Sequence, residues 1–322
     1  MKRSTTLTIG FLFLISLGVI VLLANQLKID KSLMQEGSGS SAPEEKSGEI
    51  AYNPPSLDDV PEGPMGDAIL RGRELINDTS NAIRAKASSV EDGENLVNEL
   101  ACISCHAGDG LDRDTSSLVG VAAVYPQYNE RADKVLTLED RINGCMVRSM
   151  NGQPFEEDDE DLNAMVAYLS YISEGIPIGA ELEWLGKNDM KDVPVPDVEN
   201  GERVFQQSCV ACHASDGSGT GPNTGPALWG EGSYNDGAGM ARMSKNAGFI
   251  KNNMPLGQPN SLTDQEAADL AAFILSQDRP EWKGHDDDWP NGNRPTDVMT
   301  KELRDQVKEG TIDWEKVLGK DN

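Results

Sequence analysis

Histidine is scarce in this sequence: 322 residues carry only His106, His213 and His285. A site assembled from several imidazoles is therefore excluded. Basic residues are also in short supply, 28 Lys and Arg against 54 Asp and Glu, for a net charge of -26. A field of that sign repels nucleic acid and anionic membrane surfaces, so neither is an expected partner. Aromatic residues number only 17 and few strands are signalled, which argues against a β fold with a core of large rings. Cysteines number five, so full pairing is impossible and at least one thiol stays over.

What is present begins with spacing. Cys102-Ile103-Ser104-Cys105-His106 and Cys209-Val210-Ala211-Cys212-His213 both follow the Cys-x-x-Cys-His pattern of covalent haem attachment. In that pattern two thiols form thioether links and the imidazole is the proximal iron ligand. One copy can be accidental or half of a zinc site. Two tandem copies with no further histidine nearby leave zinc short of ligands. Two covalently bound haem c groups are the cofactors expected.

The rest of the chain fits around these motifs. Lys2 and Arg3 precede an apolar run of 18 residues, Leu7 to Ala24. That length lies between a signal-peptide core and a spanning helix of ~20 residues. Leu22-Leu23-Ala24-Asn25 is a poor cleavage site, so residues 1–30 read as an uncleaved membrane anchor with its basic end cytoplasmic. The body is then expected on the periplasmic side of the cytoplasmic membrane. Residues 31–64 read as a flexible linker, with Gly37 to Lys46 its most polar part. Residues 65–175 and 200–280 read as two haem units joined by a proline-punctuated connector at 176–199, and 281–322 as an acidic tail with a short helix near Thr300 to Glu309. Gly93-Glu94 precedes the first motif as Gly201-Glu202 precedes the second. The closing helices match through Ala167-Tyr168-Leu169 and Ala272-Phe273-Ile274, and Thr263 with Glu266 forms a capping box. The fold class expected is all-α: two tandem cytochrome c domains, each around one covalent haem that supplies much of the core.

The far side of each iron is less direct. His285 lies in the polar tail, so bis-histidine coordination is not expected. For the second haem Met254 stands at the right offset before the closing helix, with Met240 and Met243 read as packing residues. For the first haem the repeat offers Met150, and the spare thiol offers Cys145. Thr137-Leu138-Glu139-Asp140 looks like a capping sequence, so a helix from Leu138 sets Arg141, Cys145 and Ser149 at i,i+4 spacing with Arg148 beside them. Cationic neighbours favour thiolate over thiol and gather anions. On the residues alone Cys145 reads as a ligand, a nucleophile, both, or plain packing. A membrane-tethered electron carrier with two methionine-ligated haems is the other reading of the same motifs, and a dihaem peroxidase is a weaker third because it lacks a spare histidine.

The segments Gly120-Val121-Ala122-Ala123-Val124-Tyr125-Pro126-Gln127-Tyr128, Leu136 to Cys145 and Arg148-Ser149-Met150-Asn151-Gly152 resemble the dihaem thiosulfate dehydrogenases, which also act as tetrathionate reductases. The likeness continues through Leu228-Trp229-Gly230, Gly237-Ala238-Gly239-Met240, Phe249-Ile250-Lys251 and Met254-Pro255, and reaches back to Leu75-Ile76-Asn77-Asp78-Thr79. It covers roughly residues 65 to 280. The resemblance implies that Cys145 is the distal ligand of the first haem and essential for turnover. It implies that Arg141 and Ser149 line the substrate pocket, and that Met254 ligates the second haem, which passes electrons outward. Some members carry lysine directly before that methionine; here Asn253 takes the place, and Lys251 is too far along the chain to substitute. The implied reaction joins two thiosulfates into tetrathionate, reversibly. Arg141 and Arg148 would draw in the dianions, Cys145 would form a transient sulfur–sulfur bond, and another cytochrome c would exchange electrons.

Overall fold

The computed structural model describes residues 50–87, 97–186 and 188–320, the side chains of 84–87 excepted. The expected anchor, residues 31–49 of the linker and Gly93-Glu94 lie outside the described residues. Among the described residues no helix is long and apolar enough to cross a membrane.

From Tyr52 onward the chain forms one unit, mostly helical. The first half contains α1 (Pro64–Asn77), α2 (Thr79–Ala87), α3 (Val121–Val124), α4 (Leu138–Arg148) and α5 (Glu160–Tyr171). The second contains α6 (Val198–Ser208), α7 (Val210–His213), α8 (Met243–Asn253) and α9 (Asp264–Ser276), and the C-terminal segment adds α10 (Lys301–Glu309) and α11 (Trp314–Val317). Among the described residues the one sheet is a two-stranded antiparallel hairpin of β1 (Gln127–Asn129) and β2 (Lys134–Leu136), with Tyr128 opposite Val135.

Each half is held by the same crossing of its first and last helices. Pro64 opens α1 at a position where its missing N–H is no loss. The helix then buries Ile69, Leu75 and Ile76 against Leu162, Met165 and Leu169 of α5. Gly72 makes the approach possible: a Cβ there would stand 2.0 Å from the carbonyl oxygen of Ala164. Gly201 plays the same part in α6, where a Cβ would stand 2.0 Å from the carbonyl oxygen of Asp269 in α9. The spatial counterpart of Gly201 is thus Gly72, about thirty residues ahead of the first haem motif rather than just before it. Helix starts follow the capping residues. Thr137 and Asp140 form a reciprocal box at the head of α4, and Thr263 and Glu266 one at the head of α9.

The acidic C-terminal stretch is built into the body. Val298, Met299 and Val317 are buried in the core, and α10 begins after Thr300 as expected. Arg304 is only 2 % exposed and donates to Asp236, itself 1 % exposed, at 2.9 Å. Asp236 also accepts from His285 at 2.7 Å and from the Trp282 backbone N–H at 2.7 Å. A second buried carboxylate, Asp288, reaches the first half, described next.

Candidate active site

Both Cys-x-x-Cys-His motifs wind into a tight turn. In the first, the N–H groups of Cys105 and His106 donate to the Cys102 carbonyl at 3.2 and 3.0 Å. In the second, Cys212 and His213 donate to the Cys209 carbonyl at 3.2 and 2.9 Å. His106 Nδ1 lies 2.5 Å from the carbonyl oxygen of Ser116, and His213 Nδ1 lies 2.8 Å from that of Pro226. A carbonyl can only accept, so each Nδ1 carries the proton and each Nε2 keeps its lone pair for a metal. All four motif thiols are free. Burial pushes Cys102 up to about 12 and Cys105 and Cys209 up to about 11. Among the described residues no three His, Cys, Asp or Glu side chains gather into a group that could hold a metal ion.

These residues fit haem c. Two thiols and one oriented imidazole are present twice. The first imidazole is half-buried, yet desolvation by the surrounding protein is the main cause lowering its pKa. The charge of Arg141 lowers it further, so His106 and the head of α4 lie close together.

Cys145 lies near the same turn. Helix α4 buries Leu138, Ile142 and Met146 in the core, and Arg141 and Cys145 flank that face at i,i+4 spacing. Arg141 Nη1 donates to Cys145 Sγ at 3.1 Å. The charge of Cys145 is the main cause holding the Arg141 pKa above its ordinary value, and it also raises Cys102 and Cys105. Met150, the rival ligand, is 3 % exposed and packs in the core, whereas Cys145 is half-exposed. Ser149 is the residue that closes α4; its N–H donates to the Cys145 carbonyl and its carbonyl accepts from Asn98 at 2.9 Å.

Arg148 is turned elsewhere. It donates to Asp288 at 3.0 Å and stacks 4.6 Å above the Trp282 ring. Arg131, from the turn of the hairpin, meets the other oxygen of Asp288 at 2.6 Å and stacks 4.6 Å over Trp289. The Nε groups of Arg131 and Arg148 are buried without a hydrogen-bond partner. Burial, then the positive charge of Arg131, lower the Arg148 pKa. Three arginines thus stand close together with one buried carboxylate among them, a local excess of positive charge in an acidic protein. Sequence reasoning missed Arg131 because its partner lies 157 positions away and no local pattern marks it.

At the second site Met254 follows α8 directly, half-buried, with its N–H bonded to the Ile250 carbonyl. Met243 is fully buried and Met240 packs against the core. Lys251 is engaged away from the site by the Leu262 carbonyl at 2.6 Å. Asn253 is buried, in a network discussed below.

Two family models match the chain: "SoxA/TsdA, cytochrome c domain" over residues 93–178, and "Cytochrome c" over residues 198–278. The thiosulfate dehydrogenase of Psychrobacter arcticus is 37% identical over 256 residues, 78% of this chain and 76% of that protein. That of Allochromatium vinosum is 39% identical over 239 residues, 72% of this chain and 85% of the other. Among solved structures, the thiosulfate dehydrogenase TsdBA from Marichromatium purpuratum superposes with a TM-score of 0.66 at 33% identity. That match covers 73% of this chain and 50% of the solved one. With two haem-attachment turns, a spare thiol under an arginine and relatives of this similarity over most of its length, the chain belongs to the thiosulfate dehydrogenase family of c-type cytochromes.

Proposed function

We propose that this protein oxidises two thiosulfate dianions to tetrathionate, reversibly, at the first haem site, and that the electrons leave through the second. Cys102, Cys105 and His106 would hold the first haem, with Cys145 as a further ligand to its iron; Cys209, Cys212 and His213 would hold the second, with Met254 as its further ligand. When bound, the two haems supply the oxidant, one electron each, with thiolate ligation keeping the first at a lower potential than the methionine-ligated second.

The chain's own residues do the rest. The arginine cluster of Arg131, Arg141 and Arg148 draws the dianion into a protein of net charge -26. Arg141 steadies the Cys145 thiolate and the incoming sulfonate, and Ser149 lies one turn further along the same face. The Cys145 sulfur bonds to the outer sulfur of the first thiosulfate with loss of two electrons. The outer sulfur of the second thiosulfate then attacks that same atom. The central sulfur–sulfur bond of tetrathionate forms, the bond to Cys145 breaks, and the thiolate is restored. The electron partner is another cytochrome c, docking on the acidic surface. The body sits on the periplasmic side of the cytoplasmic membrane, tethered by residues 1–30.

The observation that carries this reading is the contact of Arg141 with Cys145 at 3.1 Å beside the first motif. Replacing Cys145 by Ala should abolish thiosulfate-dependent reduction of an external acceptor while both haems stay attached. Turnover near the wild-type level in that variant would return the chain to an electron carrier.

A further inference from the structure

A part-buried hydrogen-bond path runs between the two sites. It starts at the Ser116 carbonyl, which takes the Nδ1 proton of His106. Ser116 has φ 49°, a left-handed conformation that costs a non-glycine residue energy and has to be held from outside. The Ser116 hydroxyl accepts from Asn188 Nδ2 at 2.8 Å. The oxygen of the same amide, Asn188 Oδ1, accepts from Asn253 Nδ2 at 3.1 Å and from Asn252 Nδ2 at 3.2 Å. Asn253 Oδ1 in turn accepts from Thr115 Oγ1 at 3.0 Å, and Asn253 directly precedes Met254.

Asn188 and Asn253 are each 7 % exposed. Buried amides are costly unless they are paired; Asn253 donates to the Phe249 carbonyl of its own helix at 3.0 Å, and every other partner of the two comes only when three segments meet. The segments are the loop after the first haem motif, the connector, and the end of α8. Their approach is close: a Cβ on Gly248 of α8 would stand 2.1 Å from the Asn188 carbonyl oxygen.

We infer that Asn188 is a positioning residue that sets the ligand environment of both haem sites at once. Its amide nitrogen holds the loop whose carbonyl orients His106, and its amide oxygen holds the residue before Met254. The inference rests on the reading of those two side chains as haem ligands. Its consequences have opposite signs at the two sites. Donation to a firmly held carbonyl makes the His106 imidazole electron-rich and favours ferric iron; a loosened Ser116 weakens that and raises the first potential. A thioether ligand raises potential; a loosened Met254 occupies its place for less of the time, and the second potential falls.

Spectropotentiometric titration of the holoprotein tests this, with the near-infrared band of methionine-ligated ferric haem followed in parallel. In Asn188→Ala the first midpoint should rise, the second should fall, and the near-infrared band should lose intensity. Asp189→Asn, the neighbouring position whose carboxylate pairs with Lys245 on the surface, should move neither. A shift at one haem only, or at none, overturns the inference. Should Asn188→Ala yield no holoprotein, Ser116→Ala and Asn253→Ala each cut one arm. Each is expected to shift its own haem most and the other in smaller measure. A response confined to the altered site in both variants overturns the coupling. A wild-type protein with no methionine band overturns the ligand reading instead, and the inference with it.

Discussion

Three arginines stand near the first haem motif, and their partners divide the work among them. Arg141 has a sulfur for a partner, Arg148 and Arg131 share a carboxylate. A guanidinium resting on a thiol is free to exchange that contact for a substrate oxygen; one locked to a buried carboxylate acts mainly through its field. Arg141→Ala is therefore expected to lower thiosulfate turnover by roughly 10²-fold or more, the usual loss on removing one charged donor from an active site. The ferric spectrum should stay close to wild type, since no proposed iron ligand is itself replaced and only one contact to Cys145 is lost. Steady-state kinetics beside the optical spectrum decide it, and a variant that keeps full activity removes Arg141 from the site. Arg148→Ala should show first as lost stability, because it strips one of two cations from buried Asp288.

At the scale of elements, the crossings of α1 with α5 and of α6 with α9 rest on one glycine each. A methyl group at Gly72 or Gly201 would meet backbone atoms, which cannot rotate away. Gly201→Ala is expected to destabilise by about 1–3 kcal/mol through overpacking, although alanine is the better helix former by nearly 1 kcal/mol. Gly144→Ala in α4 is the matched comparison. There an added Cβ meets only the tip of Arg148 at 3.5 Å, and stability should rise by about 0.5–1 kcal/mol. Denaturant unfolding of the three holoproteins measures both signs. Equal effects in the two variants would mean that the crossing is looser than drawn. The crossing matters for function because α5 and α9 close the two haem units whose turns present His106 and His213.

For the molecule as a whole, the C-terminal segment ties the two halves together through two buried carboxylates. Burial alone would raise Asp236 and Asp288. The donors around them outweigh it, His285, Trp282 N–H and Arg304 for the first, Arg131 and Arg148 for the second, and both pKa values fall below the ordinary range. A carboxylate depressed in the folded state stabilises fully above its unfolded pKa, ~3.9 for aspartate. That stabilisation is lost as pH falls through the folded value. Unfolding free energy should thus drop steeply below about pH 4, and Asp236→Asn should flatten the slope while lowering stability at neutral pH. Arg304→Ala should cost about 3–5 kcal/mol at pH 7, since it strips a buried carboxylate of its buried cationic partner. Denaturant curves across pH 2.5 to about 7 check both; an acid limb unchanged in Asp236→Asn would assign the pH dependence to other carboxylates.

The haem turns, the capped helix from Leu138, the closing helix capped by Thr263 and the leftover thiol were legible in the sequence because each depends on neighbours within about four positions. Hydrogen bonds between adjacent turns, thioether spacing and i,i+4 faces are local, and local chemistry is written in local order. The choice between Cys145 and Met150 was not local. Both fit the spacing; packing puts Met150 in the core and sets Cys145 against Arg141. The same holds for Arg148, whose sequence neighbourhood pointed to Cys145 but whose partner came from 140 positions away. Arg131, the buried Asp236–Arg304 pair and the Asn188 path have no local signature either, since their partners meet only after the connector and the C-terminal segment fold back. The sequence by itself determined which chemistry the chain carries; the tertiary structure decided which side chains reach it, because a buried polar group goes where its partner is, however distant along the chain.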